Sequence, residues 1–193
     1  MGNDTKSILL VGVGGQGTIL AAKLLINGLT QAGYDVKMSE IHGMSQRGGS
    51  VSSQVRFGKN VYSPVIELGG ADVLVAFEKM EALRWLEYLK PNGSVIVNDY
   101  AIPPMSILAG MMEYPQGIIE DLCQLASTTA IDATSEAKKI GNAMTMNVVL
   151  LGATIQKMGL TSIDWTAIIK ETVKPQFLEL NLHALEAGKA LVR

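Results

Sequence analysis

Apolar and polar residues alternate along the N-terminal part of the chain in a pattern typical of an α/β protein. Residues 7–13 (SILLVGV) form an apolar run that ends in glycines, which predicts a buried parallel strand. In residues 16–32 apolar side chains recur at three- and four-residue spacing before Gly33, which predicts a helix with a glycine stop. Residues 36–41 predict a second strand and complete a strand–helix–strand unit with a right-handed crossover.

A hairpin is predicted next. Residues 50–57 alternate apolar with polar side chains, as a half-exposed strand does, and the turn at residues 58–60 (GKN) leads to a partner strand at residues 61–62. Later apolar runs predict strands at residues 73–77, 94–98 and 128–132. Amphipathic stretches predict helices at residues 78–89, 118–126, 143–157, 165–173 and 177–188.

These elements together predict the fold class and the domain organisation. Strands alternating with helices favour an α/β, Rossmann-like three-layer fold with a mainly parallel sheet, and the last third is helical. The chain shows no internal repeat, linker or low-complexity segment. Residues 1–193 are therefore expected to form a single domain.

The composition of the chain indicates which kinds of partner and which cell compartment to expect. Charged residues make up 18% of the chain and the net charge is −2, without a basic cluster, which argues against nucleic-acid binding. The mean hydropathy of +0.25 and the 10 methionines fit either a large apolar interface or a well-filled core. The polar start of the chain is unlike a signal peptide, and the longest uncharged stretch, residues 140–156, is too polar for a membrane span. A cytoplasmic protein without membrane contact is expected.

Cys123 is the single cysteine of the sequence. An iron–sulfur cluster usually takes four thiolates, so this chain cannot hold one. The sequence also has no cysteine pair and no His/Cys spacing typical of a zinc site. We therefore predict no metal ligand in this chain and expect any redox centre of the system to lie on another chain.

A glycine loop joins the first predicted strand to the first helix. Gly12, Gly14 and Gly17 fit the pattern G-x-G-x-x-G, in which glycines allow a tight turn and, with Gly15, close approach of the backbone to a ligand. Free amides at a helix start can also bind an anion. Glu40 follows Gly17 by 23 positions, near where a dinucleotide fold places its ribose-binding carboxylate.

Three interpretations of this loop are open. It binds a dinucleotide, it binds another phosphate such as that of coenzyme A, or its glycines serve only tight packing. Gln16 stands where a dinucleotide loop usually has a hydrophobic residue or alanine, which counts against the first interpretation.

A second glycine-rich loop follows the second strand at residues 40–49 (EIHGMSQRGG). A guanidinium between glycines suits recognition of a carboxylate or phosphate, and loops at the carboxyl edge of a parallel sheet converge on one crevice. Arg47 and the amides of the glycine loop are therefore predicted to face the same anion. Each of these residues has an alternative role. Arg47 pairs with an acid of a partner subunit instead of binding a ligand, and His42 makes a structural hydrogen bond instead of taking part in the site.

Taken together, the two loops carry a resemblance to a known family. GVGGQGT at residues 12–18 and EIHGMSQRGGSVSSQVRFG at residues 40–58 resemble the gamma domain of 2-oxoacid:ferredoxin oxidoreductases. The form His-Gly-Met-x-Gln-Arg-Gly-Gly resembles the indolepyruvate branch, and within it the small beta subunit. The similarity extends over nearly the whole chain, including Gly141, Asn142 and Asn147.

The resemblance implies a small subunit that is inactive alone and carries no cofactor. Its large alpha-subunit partner, in a heterotetramer, would carry thiamine diphosphate, magnesium and 4Fe-4S clusters. The complex would decarboxylate an arylpyruvate oxidatively, form an acyl-CoA from coenzyme A and pass electrons to ferredoxin. No catalytic residue is assigned to this chain. Contacts to coenzyme A or substrate would fall to Gly12, Gly14, Gly15, Gln16, Gly17, Thr18, Glu40, His42, Gln46, Arg47, Gly48 and Gly49.

Other functions remain possible from the sequence. The chain could be the gamma subunit of an enzyme for pyruvate or 2-oxoglutarate. A stand-alone NAD-binding dehydrogenase fits the glycine loop and Glu40 but lacks a neighbouring Lys/Tyr pair of the dehydrogenase type. A nucleotide-sensing or assembly module without catalysis is the third alternative.

Overall fold

Six strands form one sheet in a computed structural model of the chain, which describes residues 5–42 and 48–192. The strands are β1 Lys6–Val13, β2 Asp35–His42, β3 Ser50–Gly58, β4 Ala71–Ala76, β5 Leu89–Asn98 and β6 Ser127–Ile131. Their order is β2-β3-β1-β4-β5-β6. The pairs β1–β4, β4–β5 and β5–β6 are parallel, whereas β3 runs antiparallel to both β1 and β2.

Helices cover both faces of this sheet. They are α1 Thr18–Gln31, α2 Lys79–Arg84, α3 Met105–Leu108, α4 Ile118–Leu125, α5 Ala133–Ile140, α6 Met146–Lys157, α7 Trp165–Thr172 and α8 Leu178–Ala190. Ile8 and Leu10 of β1 face a core shared with α1 and α5 to α8, while Leu9 and Val11 face a core shared with α2 and α4. Side chains of a strand alternate between faces, so an uninterrupted apolar run supplies both cores. This confirms the α/β class, the mainly parallel sheet and the helical C-terminal third.

The predicted strand–helix–strand unit is present with one difference. β1 and β2 run in the same direction, because each is antiparallel to β3, but β3 lies between them. The predicted hairpin at residues 58–60 is wrong. Val61 and Tyr62 form no strand, since β3 already has a partner on each edge, and the Val61 amide donates to the Asp35 carboxylate (2.8 Å) instead.

β3 is buried, although its alternating sequence predicted a half-exposed strand. Ser52, Ser53 and Gln54 are at most 4% exposed. The strand lies inside the sheet, and the segment that follows it folds back over one face, where the Ile66 amide donates to the Gln54 side chain (2.6 Å). A buried polar side chain is tolerated when it is hydrogen-bonded, as Gln54 is, so its polarity does not indicate exposure.

Several helix boundaries also differ from the predictions. The amphipathic stretch 78–89 contains the short α2 and a 3-10 turn, Leu86–Tyr88, while residues 91–93 belong to β5. The sequence patterns missed α5, which is largely polar. Its boundaries are marked by Asp132, whose carboxylate accepts a hydrogen bond from the Ser135 amide (2.8 Å), and by Gly141 at the C-cap. The hydrogen bonds from Ser135 hold the pKa of Asp132 below its ordinary value.

Two glycines let α6 and α8 pack closely. A Cβ on Gly188 would lie 1.9 Å from the carbonyl oxygen of Val149, and one on Gly152 would lie 2.2 Å from that of Leu185. The helix backbones therefore touch without intervening side chains. Among residues 5–42 and 48–192, no helix has the length and apolar character needed to cross a bilayer.

Candidate functional site

The two sequence loops come together at the carboxyl edge of the sheet. The amide of Gly14, in the loop after β1, donates to the carbonyl of Gly49, immediately before β3 (2.9 Å). Because β3 is antiparallel to β1, its first residues lie beside the last residues of β1, with Ser50 opposite Val13. The predicted proximity of the loops is therefore confirmed for their described parts, and it arises from strand pairing.

Glycine is required in the first loop for conformation and for space. Gly15 and Gly17 have φ values of 102° and 83°, a region that favours glycine, and a Cβ on Gly17 would lie 2.5 Å from the Asn147 amide nitrogen. Gly17 is the N-cap of α1 and provides no capping side chain, and the first turn contains no acidic residue. The positive end of the helix dipole therefore has no capping side chain and no acidic residue of the first turn to compensate it, although Thr18 itself is buried.

Gln16 is part of the loop's internal framework. Its side-chain oxygen accepts from the Val13 amide and its side-chain nitrogen donates to the Phe77 carbonyl, each at 2.8 Å. A Cβ on Gly12 would approach both the Gln16 oxygen and the Phe77 side chain to 2.9 Å. Gly12 and Gln16 thus join the ends of β1 and β4, which explains the glutamine that is atypical of a dinucleotide loop.

Asn98 extends this framework to the neighbouring strand. Its buried carboxamide donates to the Phe77 carbonyl (3.2 Å) and to the Thr134 hydroxyl (3.0 Å), and it accepts from the Ala133 amide (3.0 Å). Two carboxamides thus meet at one carbonyl and fix the ends of β1, β4 and β5 and the start of α5. Sequence reasoning missed Asn98; the available signal was a carboxamide directly after a buried apolar run.

Removing the Gln16 carboxamide is expected to loosen the loop. Gln16→Leu keeps a similar volume but leaves the Val13 amide without its acceptor, so we expect the free energy of unfolding to fall by about 2 kcal/mol. Urea denaturation followed by circular dichroism measures this change. Gln124→Leu replaces an exposed glutamine on α4 and should leave stability unchanged; equal effects of the two variants would contradict the framework role.

Two cavities adjoin the glycine loop. One of about 170 Å³ is lined by Gly15, Gln16, Tyr100 and Met144, among others. The other, about 480 Å³, lies beyond Gly17 and is lined by residues of the loop, of α6 and of the segment between α7 and α8, including Lys174 and Phe177. The site therefore combines a helix start that lacks a capping side chain with mostly apolar walls, which suits a ligand that carries both an anionic group and apolar parts.

Glu40 has a different position from the acid of a dinucleotide fold. It lies on the edge strand β2, paired with Ser53 of β3, so a whole strand separates it from β1 and the glycine loop. In a dinucleotide fold the acid ends the strand next to the first one. The arrangement therefore does not reproduce the ribose contact that the spacing from Gly17 suggested.

The second loop is described only at its ends. His42 ends β2 opposite Val51, Gly48 has a φ of 80°, and Gly49 contacts the first loop. Gln46 and Arg47 lie outside the described residues. Where the loop ends, the hydroxyl of Ser50, the first residue of β3, donates to the buried carboxylate of Glu81 on α2. This hydrogen bond anchors the start of β3 to α2.

Buried acids near this edge are structural. Glu78, fully buried, accepts hydrogen bonds from the Glu81 amide (2.9 Å), the Ile102 amide (3.2 Å) and the Tyr114 hydroxyl. Burial, reinforced by the Glu78 carboxylate, raises the pKa of Tyr114 well above its ordinary value, so the phenol stays protonated and donates. Within the part of the chain that the structure describes, no three His, Cys, Asp or Glu side chains cluster as metal ligands, and Cys123 is exposed.

Comparison with known proteins adds relatives of nearly equal length. A family model described as pyruvate ferredoxin/flavodoxin oxidoreductase matches residues 7–191. Indolepyruvate oxidoreductase subunit IorB from Thermococcus kodakarensis and from Pyrococcus horikoshii are each 40% identical over 190 residues, which cover 94% of this chain and 93% of each relative. The keto/oxoacid ferredoxin oxidoreductase gamma subunit from Geobacter sulfurreducens superimposes with a TM-score of 0.70 at 26% identity, covering 96% of this chain and 97% of that one.

Proposed function

We propose that this chain, which belongs to the pyruvate ferredoxin/flavodoxin oxidoreductase family, is the small subunit of an indolepyruvate (arylpyruvate):ferredoxin oxidoreductase. The observation that carries the proposal is the 40% identity, over nearly the full length of both proteins, to subunits named for indolepyruvate. The enzyme would convert a 2-oxoacid, coenzyme A and oxidised ferredoxin into an acyl-CoA, carbon dioxide and reduced ferredoxin. Residues 1–193 would act as one gamma-type unit in this complex.

The redox and carbanion chemistry would belong to a large partner subunit. Decarboxylation of a 2-oxoacid requires an electron sink, which thiamine diphosphate with magnesium supplies. Electrons leaving that centre require iron–sulfur clusters, and a chain with one cysteine cannot ligate one. The large alpha subunit would carry both groups in a heterotetramer that reduces ferredoxin in the cytoplasm.

The role of this chain would be to bind and orient an anionic ligand at the shared site. The loops meet at Gly14 and Gly49, and α1 begins without a capping side chain. Arg47 would add a guanidinium suited to a carboxylate or phosphate. Coenzyme A and the substrate carboxylate both carry such groups. The contacts assigned to His42 and Gln46 belong to this proposal as well.

The competing function is NAD binding by an independent dehydrogenase. The separation of Glu40 from the glycine loop by β3, and the use of Gln16 to bridge two strands, both weaken it. A gamma subunit for pyruvate or 2-oxoglutarate uses the same chemistry and differs only in the substrate chosen. Substrate preference therefore has to be measured on the assembled enzyme.

Reconstitution tests the proposal. The chain and the thiamine-bearing large subunit of the same organism are purified separately without oxygen. They are then mixed with indolepyruvate, coenzyme A and a viologen dye as electron acceptor. We expect dye reduction by the mixture and none by this chain alone, because the electron sink and the clusters reside on the partner. Parallel assays with pyruvate and 2-oxoglutarate should give lower kcat/KM values than indolepyruvate.

Three outcomes would contradict the proposal. These are stoichiometric iron in the isolated chain, reduction of NAD by the isolated chain with a hydroxy acid, and full activity of the large subunit without this chain. If pyruvate or 2-oxoglutarate is turned over faster than indolepyruvate, the proposed role as a small subunit stands, and the proposed substrate is wrong.

A further inference from the structure

An exposed apolar surface lies next to the candidate site. Residues 100–112 contain no charged side chain, and four of their apolar side chains are 64–78% exposed. Met144, 70% exposed, lines the same 170 Å³ cavity as Tyr100, where this segment begins. We define the methionine surface by the following residues: Tyr100, Met105, Leu108, Met111, Met112 and Met144.

The methionines of this surface are distributed unusually. In the described ranges, the methionines whose side chains are more than half exposed all belong to the methionine surface. The other methionines there, Met38, Met80, Met146 and Met158, are buried or half-buried. Contiguous apolar patches on a protein surface mark interaction sites, and interface cores are enriched in methionine and aromatic residues and depleted of charge. A well-filled core was one explanation of the 10 methionines, but the exposed ones lie outside the core.

The backbone that carries the surface is anchored. The buried Glu78 carboxylate accepts hydrogen bonds from the Ile102 amide and the Tyr114 hydroxyl, at the two ends of the segment. The Lys79 amide donates to the Tyr100 carbonyl (3.1 Å), and the Met111 amide closes a turn onto the Ser106 carbonyl (2.9 Å). The apolar side chains thus project from a fixed backbone, which lowers the entropy lost when a partner binds.

The position of the surface identifies its occupant. The segment follows the carboxyl end of β5, so it lies at the same sheet edge as Gly15 and Gln16, with which Tyr100 and Met144 share a cavity. If the small subunit contributes ligand contacts to chemistry on the large subunit, the two must meet at this edge. We infer that the methionine surface is where the thiamine-bearing large subunit docks, an inference that rests on the proposed function.

A second exposed apolar group lies elsewhere and provides a matched comparison. Tyr62, Val65 and Leu68 are 58–94% exposed in the connection from β3 to β4. The end of β3 and the start of β4 both lie at the amino edge, because Phe57 is paired with Lys6 and Ile8 with Val73. The glycine loop lies at the opposite, carboxyl edge, so a large subunit that binds over this loop is not expected to contact Tyr62, Val65 and Leu68.

The test measures the affinity of the small subunit for the purified large subunit by isothermal titration calorimetry without oxygen. Met111→Asp and Met105→Asp should each raise the Kd at least about tenfold, because each places a carboxylate in a desolvated apolar interface. Met111→Leu retains an apolar side chain of similar volume and should bind like the wild type. Leu68→Asp, equally non-conservative but at the amino edge, should also leave the Kd unchanged. Thermal unfolding of every variant alone verifies that the fold is intact, which is expected for exposed positions.

The outcomes separate this inference from the proposed function. Wild-type assembly and activity, combined with weakened binding only in the two aspartate variants of the methionine surface, support both. Wild-type activity with unchanged binding of Met105→Asp and Met111→Asp, or with equal loss in Leu68→Asp, overturns the docking surface and leaves the proposed function standing. Absence of a wild-type complex overturns both. If an aspartate variant unfolds, the Kd of Met111→Ser decides in its place, and a wild-type value there overturns the docking surface.

Discussion

Replacing Gly188 by alanine is expected to lower the free energy of unfolding by about 3 kcal/mol or more. The added methyl group would lie 1.9 Å from the Val149 carbonyl oxygen, where α8 contacts the backbone of α6. The helices must separate to relieve this overlap, and that motion opens the apolar core beside them. The gain in helix propensity from glycine to alanine, about 1 kcal/mol, offsets only part of the loss. Urea denaturation monitored by circular dichroism gives the value.

Gly33→Ala is the matched control for this variant. Gly33 has a φ of 88°, and a Cβ there would meet nothing within 4 Å. Its replacement therefore carries only the backbone penalty of the left-handed region, about 1 kcal/mol. A loss in Gly188→Ala no larger than that in Gly33→Ala would show that α6 and α8 adapt easily, and would contradict the packing role of Gly188.

Removing the carboxylate of Glu78 is expected to have a similarly large effect. Glu78→Ala leaves the Glu81 amide, the Ile102 amide and the Tyr114 hydroxyl without their acceptor. Because Glu78 is fully buried, water cannot easily replace the lost carboxylate. Each unsatisfied buried donor costs roughly 1–3 kcal/mol, so a loss of about 3 kcal/mol in the free energy of unfolding is expected after partial relaxation. Chemical denaturation measures it, and protease cleavage within residues 100–114 should become faster.

Two variants define the origin of the Glu78 effect. Glu113→Ala removes an exposed carboxylate from the same segment and should leave stability unchanged. Tyr114→Phe removes one of the three donors and should lower the free energy of unfolding by about 1 kcal/mol. If Tyr114→Phe and Glu78→Ala are fully additive in the double variant, the two side chains are not coupled and the anchoring of the apolar segment has another basis.

Local patterns were sufficient for the parallel half of the sheet. The apolar runs that became β1 and β4 are uninterrupted because both strands are covered by helices on both faces, so burial is recorded directly in the sequence. They were insufficient for β3. The serines and the glutamine of β3 give it the alternating pattern of an exposed strand. Only the tertiary structure shows that Ser50 and Gln54 find hydrogen-bond partners from other segments.

By itself, the sequence determined the α/β class, the two glycine-rich loops and the absence of a cluster-ligating cysteine set, because these depend on local periodicity, motif spacing and residue counts. Only the tertiary structure decided that β3 lies between β1 and β2, that Glu40 is thereby removed from the glycine loop, and that Gln16 and Asn98 share the Phe77 carbonyl. These features join positions far apart in the chain. Strand order and side-chain partners are set by the packing of the whole sheet, which no local pattern records.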